Sequence, residues 1–392
     1  MRLFQLMILT ALALSSFLVI AQHFENNQLI FPERRILAFT YKGANEEIIK
    51  STLPRIVSNI GNEPGSWVYE WSKLASYYED QGDDFVEDGY LEKARDSFLI
   101  SSNYYAMAWF PNNYLPEEKV AYQDHLRTYL KAGNFFDSPL EVIDIPFRGS
   151  YVKVYMHKPV GIEKPPLILY TQGADQFKAN AFPTVSDLVE KGFAVGTFDL
   201  LGTGENENWK ITPSGDELHL SILDYFINTN GFDNSRISFV GFSFGGYYAA
   251  KLASRNDPRI KSIISFCPVF IQFTGRSIDQ IDNILRSPEG AALVNLLRKA
   301  GAENPRDAEE ALEILSSFSL HNQGLVGSGK NIATKLLIAN GTNDPLGPVQ
   351  DMHLLYNSAI NADLWLLGGA EHCAVEYLPI TVPHMADWIL NN

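Results

Sequence analysis

Six apolar, β-rich runs separated by helical stretches constrain the fold more than any other feature of this sequence. Each run is apolar without a break rather than alternating, as in strands covered on both faces, and helices between such strands indicate a parallel, doubly wound sheet. The runs are Leu167–Tyr170, Ala194–Phe198, Ile237–Val240, Ile260–Ile264, Lys335–Ala339 and Leu364–Leu367. A strand hairpin precedes them, at Val142–Pro146 and Tyr151–Tyr155 around a turn with Gly149. The sequence therefore predicts an antiparallel hairpin leading into a mostly parallel α/β sheet.

Helical patterns precede and interrupt this region. Apolar residues recur at three and four positions between residues 44 and 136, which predicts a helical cap segment over 22–138 ahead of a catalytic domain over 139–392. A second helical pattern, about 270–330, separates two of the strands and is expected to form a lid over their carboxyl ends, where ligands bind in such sheets. The cap segment is rich in aromatic residues, and we expect most of them in the core and a minority at the substrate pocket. These are Trp67, Trp71, Tyr77, Tyr78, Tyr104, Tyr105 and Trp109.

The first 21 residues have the pattern of a secretory signal peptide. Arg2 is followed by an apolar stretch that ends at Val19-Ile20-Ala21, and polar residues begin at Gln22. The pattern predicts an exported protein, periplasmic or secreted. The stretch is nearly long enough to span a bilayer, so an uncleaved membrane anchor is the alternative.

Charge and cysteine content exclude several classes of function. A formal net charge of −15 lacks the basic surplus that binding a phosphate backbone requires, so nucleic acid is not an expected partner. The only two cysteines, Cys267 and Cys373, have no metal-ligand spacing, and no metal is expected. In an exported protein the two could form a disulfide, but at the predicted active-site edge we expect free buried thiols.

The sequence Gly241-Phe242-Ser243-Phe244-Gly245-Gly246 lies between a predicted strand and a predicted helix. A serine on a tight strand-to-helix turn, relieved by small residues on both sides, presents its hydroxyl above the sheet. Ser243 is the predicted nucleophile. The less specific interpretation is a glycine-rich structural turn.

An acid and a histidine should follow, each just past a later strand. Asp344 follows the strand that begins at Lys335, and His372 follows the strand that begins at Leu364. A neutral imidazole can take the serine proton, and a buried carboxylate can hold the imidazole in the required tautomer. Asp351 competes for the role of the acid but falls inside the next predicted helix.

Two backbone amides should stabilise the oxyanion. One belongs to Phe244, the residue after the nucleophile, and the other should come from the loop after the strand at Leu167. Ala174 is the first choice for that second donor, and Gly173 is the next.

With these motifs the chain resembles the α/β-hydrolases related to dihydroxypseudooxynicotine hydrolase, the fungal heptaketide pigment hydrolases and the fermentation-respiration switch protein. The resemblance extends over the helical N-terminal segment, Gln172-Gly173-Ala174-Asp175, Asp199-x-x-Gly202-x-Gly204-Glu205, the Ser243 turn and the loops at Asp344 and His372. It implies an α/β-hydrolase fold with a helical cap, cofactor-free hydrolysis, and often a homodimer. Members that cleave carbon–carbon bonds have an additional acid near the cap, and residues 268–276 contain none.

The predicted function is that of a serine carboxylesterase acting on a small or medium ester. Alternatives are a carbon–carbon bond hydrolase acting on a diketone or polyketide, an exopeptidase, and a non-catalytic binding protein on the same fold.

Overall fold

A computed structural model of the chain describes residues 24–25, 28–29, 31–111, 114–273, 276–287 and 290–392. The predicted signal peptide lies outside the described residues. In the part that is described, no helix is both long and apolar enough to span a membrane. The architecture is a central sheet with helices on both faces, preceded by a bundle of helices.

An eight-stranded sheet forms the centre of the molecule and confirms the predicted α/β class. Its strands run in the spatial order β8-β7-β6-β5-β3-β4-β2-β1. Strands β1 and β2 form the expected antiparallel hairpin, β2 is antiparallel to β4, and all other neighbours are parallel. The strands are β1 Glu141–Phe147, β2 Ser150–His157, β3 Pro166–Thr171, β4 Ala194–Phe198, β5 Asp233–Phe242, β6 Ser262–Phe266, β7 Lys335–Gly341 and β8 Ala362–Leu367.

The central strands are covered by helices on both faces. Every residue of β3, β4 and β6 is buried, which explains why their sequences are continuously apolar. Most predicted strand bounds agree with the structure to within two residues, the usual uncertainty of an element boundary, whereas β5 begins at Asp233, four residues before the predicted Ile237. The flanking helices are α6 Thr184–Glu190, α7 Glu217–Ile227, α8 Phe244–Ser254, α12 Val349–Asn357 and α13 Leu378–Asn391.

In the described part of the chain, five α-helices precede the sheet, and four of them lie within residues 44–136, where the apolar spacing predicted helices. They are α1 Glu33–Tyr41, α2 Glu46–Thr52, α3 Trp67–Glu87, α4 Leu91–Trp109 and α5 Pro116–Gly133. Their apolar sides share one core with Tyr155 of β2 and with Phe177, whose ring stacks on Trp109 at 4.6 Å. The bundle is therefore packed onto the sheet region through aromatic contacts.

The aromatic residues of this bundle are core residues to a greater extent than expected. Trp67, Trp71, Tyr104, Tyr105 and Trp109 are buried, whereas Tyr77 is exposed. None of the seven aromatics named above lines either cavity beside Ser243. The prediction that some of them face the substrate pocket is therefore wrong, because these rings stack on one another and on the sheet region.

The described residues of the predicted insertion form three α-helices. They are α9 Ile278–Arg286, α10 Gly290–Ala300 and α11 Ala308–Phe318. Ser277 is the N-cap residue of α9 and forms a reciprocal capping box with Gln280. Asp307 is the N-cap residue of α11, and its side chain accepts a hydrogen bond from the Glu310 backbone amide. Apolar residues of all three helices line a cavity that contains Ser243, which is the position expected of a lid.

Candidate active site

Ser243 lies on the turn between β5 and α8, with φ of 54° and ψ of −114°. Residues other than glycine rarely adopt this backbone conformation, and residues strained in this way are often found at functional sites. The turn leaves no room beside it: a Cβ atom on Gly241 would lie 2.1 Å from the Gly245 carbonyl oxygen, and one on Gly245 would lie 2.5 Å from the Gln172 carbonyl oxygen. Glycine is thus required at both positions.

The three residues predicted to form the triad meet in one hydrogen-bonded chain. Ser243 Oγ lies 2.8 Å from His372 Nε2, and His372 Nδ1 lies 2.7 Å from Asp344 Oδ2. Asp344 follows β7 and His372 follows β8, so parallel neighbouring strands bring the two loops together at one edge of the sheet.

Asp344 is buried and accepts three hydrogen bonds. Besides His372, the Asn340 amide donates to Oδ2 and the Leu346 backbone amide donates to Oδ1, each at 2.7 Å. Burial raises the pKa of Asp344, but His372 and these donors outweigh it and hold that pKa below its usual value. The carboxyl group is therefore ionised at neutral pH and able to pair with an imidazolium.

The competing acid, Asp351, is placed elsewhere. It lies in α12, where its carboxylate accepts the Gln272 backbone amide at 3.2 Å, and burial raises its pKa. The hydrogen-bonding partner of Asp351 is thus the loop that precedes the lid helices, and not His372.

Three of the other histidines lie in the core. His125, His157 and His219 are buried, and burial lowers their pKa values to about 3, 3 and 4. They are neutral structural residues at physiological pH, as is common for enclosed imidazoles.

The residues proposed for the oxyanion hole surround Ser243. The space where a Gly173 side chain would begin lies 3.1 Å from Ser243 Cβ and 3.3 Å from its Oγ. Ala174 and Phe244 line the same cavity as Ser243. The Phe244 amide belongs to the first turn of α8, where backbone N–H groups have no partner within the helix. The structure thus brings all three to the nucleophile, and which amide binds the oxyanion remains a prediction.

The loop after β3 is held by three cationic side chains that sequence reasoning missed. Arg35 forms an ion pair with Asp175 at 2.9 Å, Lys42 donates to the Gln176 side chain, and Lys299 lies 3.4 Å from the Ala174 carbonyl oxygen. Arg35 belongs to α1 and Lys299 to the lid helix α10, so both helical segments contact this loop. Asp175 belongs to a motif that the sequence analysis identified. Arg35, Lys42 and Lys299 had no such signal, because they are distant from this loop along the chain.

Electrostatic effects are strong around this loop. Burial raises the pKa of Asp175, but the adjacent Arg35 more than offsets this and holds it below its usual value. Burial lowers the pKa of Lys42 to about 7 and that of Lys299 to about 8. The Asp175 carboxylate is thus ionised and paired, while the two lysines give up their protons more readily than usual.

Cys267 and Cys373 form a disulfide, so the expectation of free thiols is wrong. Cys267 follows β6 and Cys373 follows His372 directly, and the fold places their Cα atoms 4.9 Å apart. The Ser243 amide donates to Cys267 Sγ at 3.2 Å. The disulfide therefore contacts the turn that contains Ser243, and one of its cysteines, Cys373, is the next residue after His372 in the chain. Among the described residues, these two sulfurs and His372 are the one His/Cys/Asp/Glu group compact enough for a metal ion, and here both sulfurs are bonded to each other.

The motif that begins at Asp199 forms a network of hydrogen bonds and ion pairs between two loops. Asp199 accepts the Lys178 ammonium at 2.5 Å and the backbone amides of Lys178 and Glu205. Lys178 also pairs with Glu205 at 2.7 Å. Since Lys178 and Asp199 are both buried, this network holds the loop after β4 against the loop after β3.

Two cavities adjoin Ser243, each of about 100 Å³. The first, here called the lid cavity, is lined by Arg35, Ala174, Asp175, Phe244, Val269, Phe270, Phe273, Arg276, Ile281, Ile284, Leu293, Leu296, Leu315 and Leu346. The second, the α1 cavity, is lined by Ala38, Tyr41, Lys42, Tyr170, Gln172, Gly173, Asp175, Gln176, Asn180, Thr184, Phe242, His372, Cys373, Val375 and Leu378. Ser243 and Asp175 line both, so Ser243 lies where the two cavities meet.

Comparison with known proteins gives a consistent family. The model of the family described as "Esterase FrsA-like" matches residues 42–370. Esterase FrsA of Photobacterium profundum is 24% identical over 304 residues, which are 76% of this chain and 70% of the relative. Esterase FrsA of Yersinia pestis is 24% identical over 348 residues, 84% of this chain and 80% of the relative.

Solved structures share the fold. The 2,6-dihydroxy-pseudo-oxynicotine hydrolase superposes with a TM-score of 0.75 at 19% identity, covering 91% of this chain and 95% of that one. AbyA5 superposes with a TM-score of 0.68 at 19% identity, covering 87% of both chains. Together with the strand order, these likenesses confirm the α/β-hydrolase fold.

Proposed function

This chain belongs to the FrsA-like esterase family, and from that membership we propose that it is a serine carboxylesterase with Ser243 as nucleophile, His372 as general base and Asp344 as the orienting acid. The observation that carries the proposal is the continuous hydrogen-bonded chain from Ser243 Oγ through both ring nitrogens of His372 to Asp344. A serine hydroxyl is a weak nucleophile without such a base.

The reaction follows from this geometry. His372 Nε2 takes the proton of Ser243 as Oγ attacks the ester carbonyl carbon, and the ionised Asp344 stabilises the resulting imidazolium. His372 then gives the proton to the alkoxide oxygen as the carbon–oxygen bond breaks, leaving an acyl group on Ser243. Water, deprotonated by His372, attacks the acyl carbon, and the acid leaves as Ser243 regains its proton.

The negative oxygen formed in each tetrahedral intermediate needs donors. We assign the Phe244 amide at the start of α8 and the amide of Ala174, with Gly173 as the alternative. Each donor of this kind typically lowers the barrier by roughly 3 kcal/mol. The cationic contacts on the loop of residues 173–176 support its role, since a donor must be held in place before the reaction.

Ester hydrolysis is favoured over carbon–carbon cleavage. The carbon–carbon hydrolases that this chain resembles have an additional acidic residue near the cap, and residues 268–276 contain none. The one carboxyl group among the residues that line the two cavities, Asp175, has a lowered pKa and is paired with Arg35. It is therefore ionised at neutral pH and unsuited to donate a proton.

We also propose that the protein is exported. The amino-terminal pattern supports this, and so does the Cys267–Cys373 disulfide, because disulfides persist in oxidising compartments and are rare in the cytosol.

The proposal is tested by covalent labelling with a fluorophosphonate. Wild type should be labelled and should hydrolyse p-nitrophenyl esters in preference to a diketone or an aminoacyl amide. Ser243→Ala should fold, lose labelling and lose hydrolysis. Ser254→Ala, at the other end of α8, is the matched control and should retain both. Undiminished labelling of Ser243→Ala would show that another residue is the nucleophile.

A further inference from the structure

The cavities on the two sides of Ser243 differ in chemistry. The lid cavity has aliphatic and aromatic walls contributed by the lid helices and by Val269, Phe270 and Phe273. Its charged lining residues are engaged: Arg35 pairs with Asp175 at 2.9 Å, and the Arg276 guanidinium lies 5.2 Å from the Phe273 ring centroid. A group that enters this cavity is therefore surrounded mainly by carbon.

The α1 cavity has a different composition. Hydroxyl and amide side chains line it together with the rings of Tyr170 and Phe242 and the ammonium of Lys42. The polar members are Tyr41, Gln172, Gln176, Asn180 and Thr184. A group that enters this cavity finds both ring surfaces and hydrogen-bonding partners.

The position of His372 decides which half of an ester occupies which cavity. During acylation, His372 must give its proton to the departing alkoxide oxygen, so the alcohol half has to lie on the histidine's side of Ser243. His372 lines the α1 cavity and is absent from the lining of the lid cavity. The acyl half is left with the lid cavity, whose lining includes the proposed oxyanion donors Ala174 and Phe244.

We propose, resting on the esterase function above, that the substrates are esters of a medium-chain apolar acid with a polar alcohol, bound with the acyl chain under the lid helices and the alcohol beside α1. The volume of the lid cavity limits the length of the acyl group that it can hold. At about 10–15 Å³ for each water-sized group, a cavity of about 100 Å³ accepts roughly seven to ten non-hydrogen atoms. Acyl chains of about six to eight carbons fit this limit, and longer chains exceed it.

The chain-length profile of wild type is the first test. Each methylene transferred from water to an apolar wall should raise kcat/KM by up to about fourfold. From p-nitrophenyl acetate to the hexanoate, four added methylenes give a ceiling of about 200-fold. The profile should reach its maximum between hexanoate and octanoate and fall by dodecanoate.

Variants of the two cavities separate the two halves of the ester. Ile284→Trp fills the lid cavity and should lower kcat/KM for the octanoate at least tenfold while changing the acetate less than about threefold. Leu293→Trp is the second variant if Ile284→Trp does not fold. Ile278→Trp, on an exposed site of the same lid helix as Ile284, is the matched control and should keep the wild-type profile.

Ala38→Trp fills the α1 cavity instead. It should keep the position of the acyl-chain maximum and lower turnover of the octanoate of glycerol. Wild type should prefer that glycerol ester to the octanoate of hexanol.

Fluorophosphonate labelling separates failure of this proposal from failure of the esterase function. Labelled variants that all keep the wild-type chain-length maximum overturn the assignment of the lid cavity and leave the esterase function standing. A shift of that maximum in Ala38→Trp, or a wild-type preference for the hexanol ester, also overturns the proposal. A wild type that neither labels nor hydrolyses any ester overturns the esterase function and this proposal with it.

Discussion

Replacing Asp344 by asparagine is the most informative test of the triad, because the surrounding donors dictate how the new amide must sit. If the amide oxygen keeps the hydrogen bond from the Leu346 backbone, the new NH₂ group faces His372 Nδ1 and the Asn340 amide. To avoid facing a donor, His372 must move its proton to Nε2, the nitrogen that faces Ser243. That tautomer cannot accept the serine proton.

The opposite orientation of the amide is also unfavourable. It directs the NH₂ group at the Leu346 backbone N–H, and a buried donor without a partner costs about 1–3 kcal/mol. We therefore expect the unproductive tautomer to dominate. In triads of this type the same change lowers kcat about 10⁴-fold, equivalent to about 5.4 kcal/mol of barrier.

The assay is hydrolysis of p-nitrophenyl butyrate, read as kcat and KM, with the rate of fluorophosphonate labelling measured in parallel. Both kcat and the labelling rate should collapse while KM changes little. Asp351→Asn is the matched control, because that buried carboxylate contacts the Gln272 amide and should be replaceable with less than about tenfold loss of kcat. A loss below tenfold in Asp344→Asn would refute the assignment of Asp344 as the orienting acid.

Acid stability gives an independent readout of the same residue. The pKa of the native Asp344 carboxyl lies below its ordinary value of 3.8. Its contribution to stability is therefore complete above the unfolded-state pKa and is lost as the pH falls through the native value. In Asp344→Asn, the free energy of unfolding should decrease less between about pH 5 and pH 2 than in wild type.

Three further changes test other parts of the structure. Gly241→Ala would place a Cβ 2.1 Å from a backbone oxygen, so soluble expression and labelling should both fall, with thermal unfolding as the measurement. Lys178→Met leaves the buried Asp199 carboxylate without its ammonium partner and should cost about 3–5 kcal/mol in urea unfolding; a cost below 1 kcal/mol would contradict the buried network. Cys373→Ser opens a covalent loop spanning a sequence separation of 106 and should lower the free energy of unfolding by up to about 4.7 kcal/mol, with dithiothreitol affecting wild type and leaving the variant unchanged.

The proximity of the three residues proposed for the triad could be predicted because the position of each depends on local sequence. Ser243, Asp344 and His372 each follow an apolar strand, and parallel strands end at a common edge. Chain order and strand ends therefore sufficed to bring the three together. The helices α9, α10 and α11 were predictable for a similar reason, since a helical pattern replaced a short crossover.

Contacts between distant segments could not be predicted in this way. Arg35 is 140 residues from Asp175, and nothing in the sequence around either residue indicates their pairing. The disulfide was missed although both cysteines were expected at the active-site edge, because a position at the end of a strand does not give the distance between two Cα atoms, which is 4.9 Å here. The aromatics of the cap were assigned partly to the pocket because helical spacing does not distinguish a core face from a cavity wall.

The disulfide also changes what cutting the chain would do. The segment between Cys267 and Cys373 contains the lid helices, Asp344 and, directly before Cys373, His372. Ser243 precedes this segment. A protease that cuts an exposed lid loop would therefore separate Ser243 and His372 onto two fragments that remain covalently joined. Such a nicked molecule would migrate as one species without reductant and as two with it. Cleavage of the lid would then alter access to the site without releasing either half of the Ser243–His372 pair.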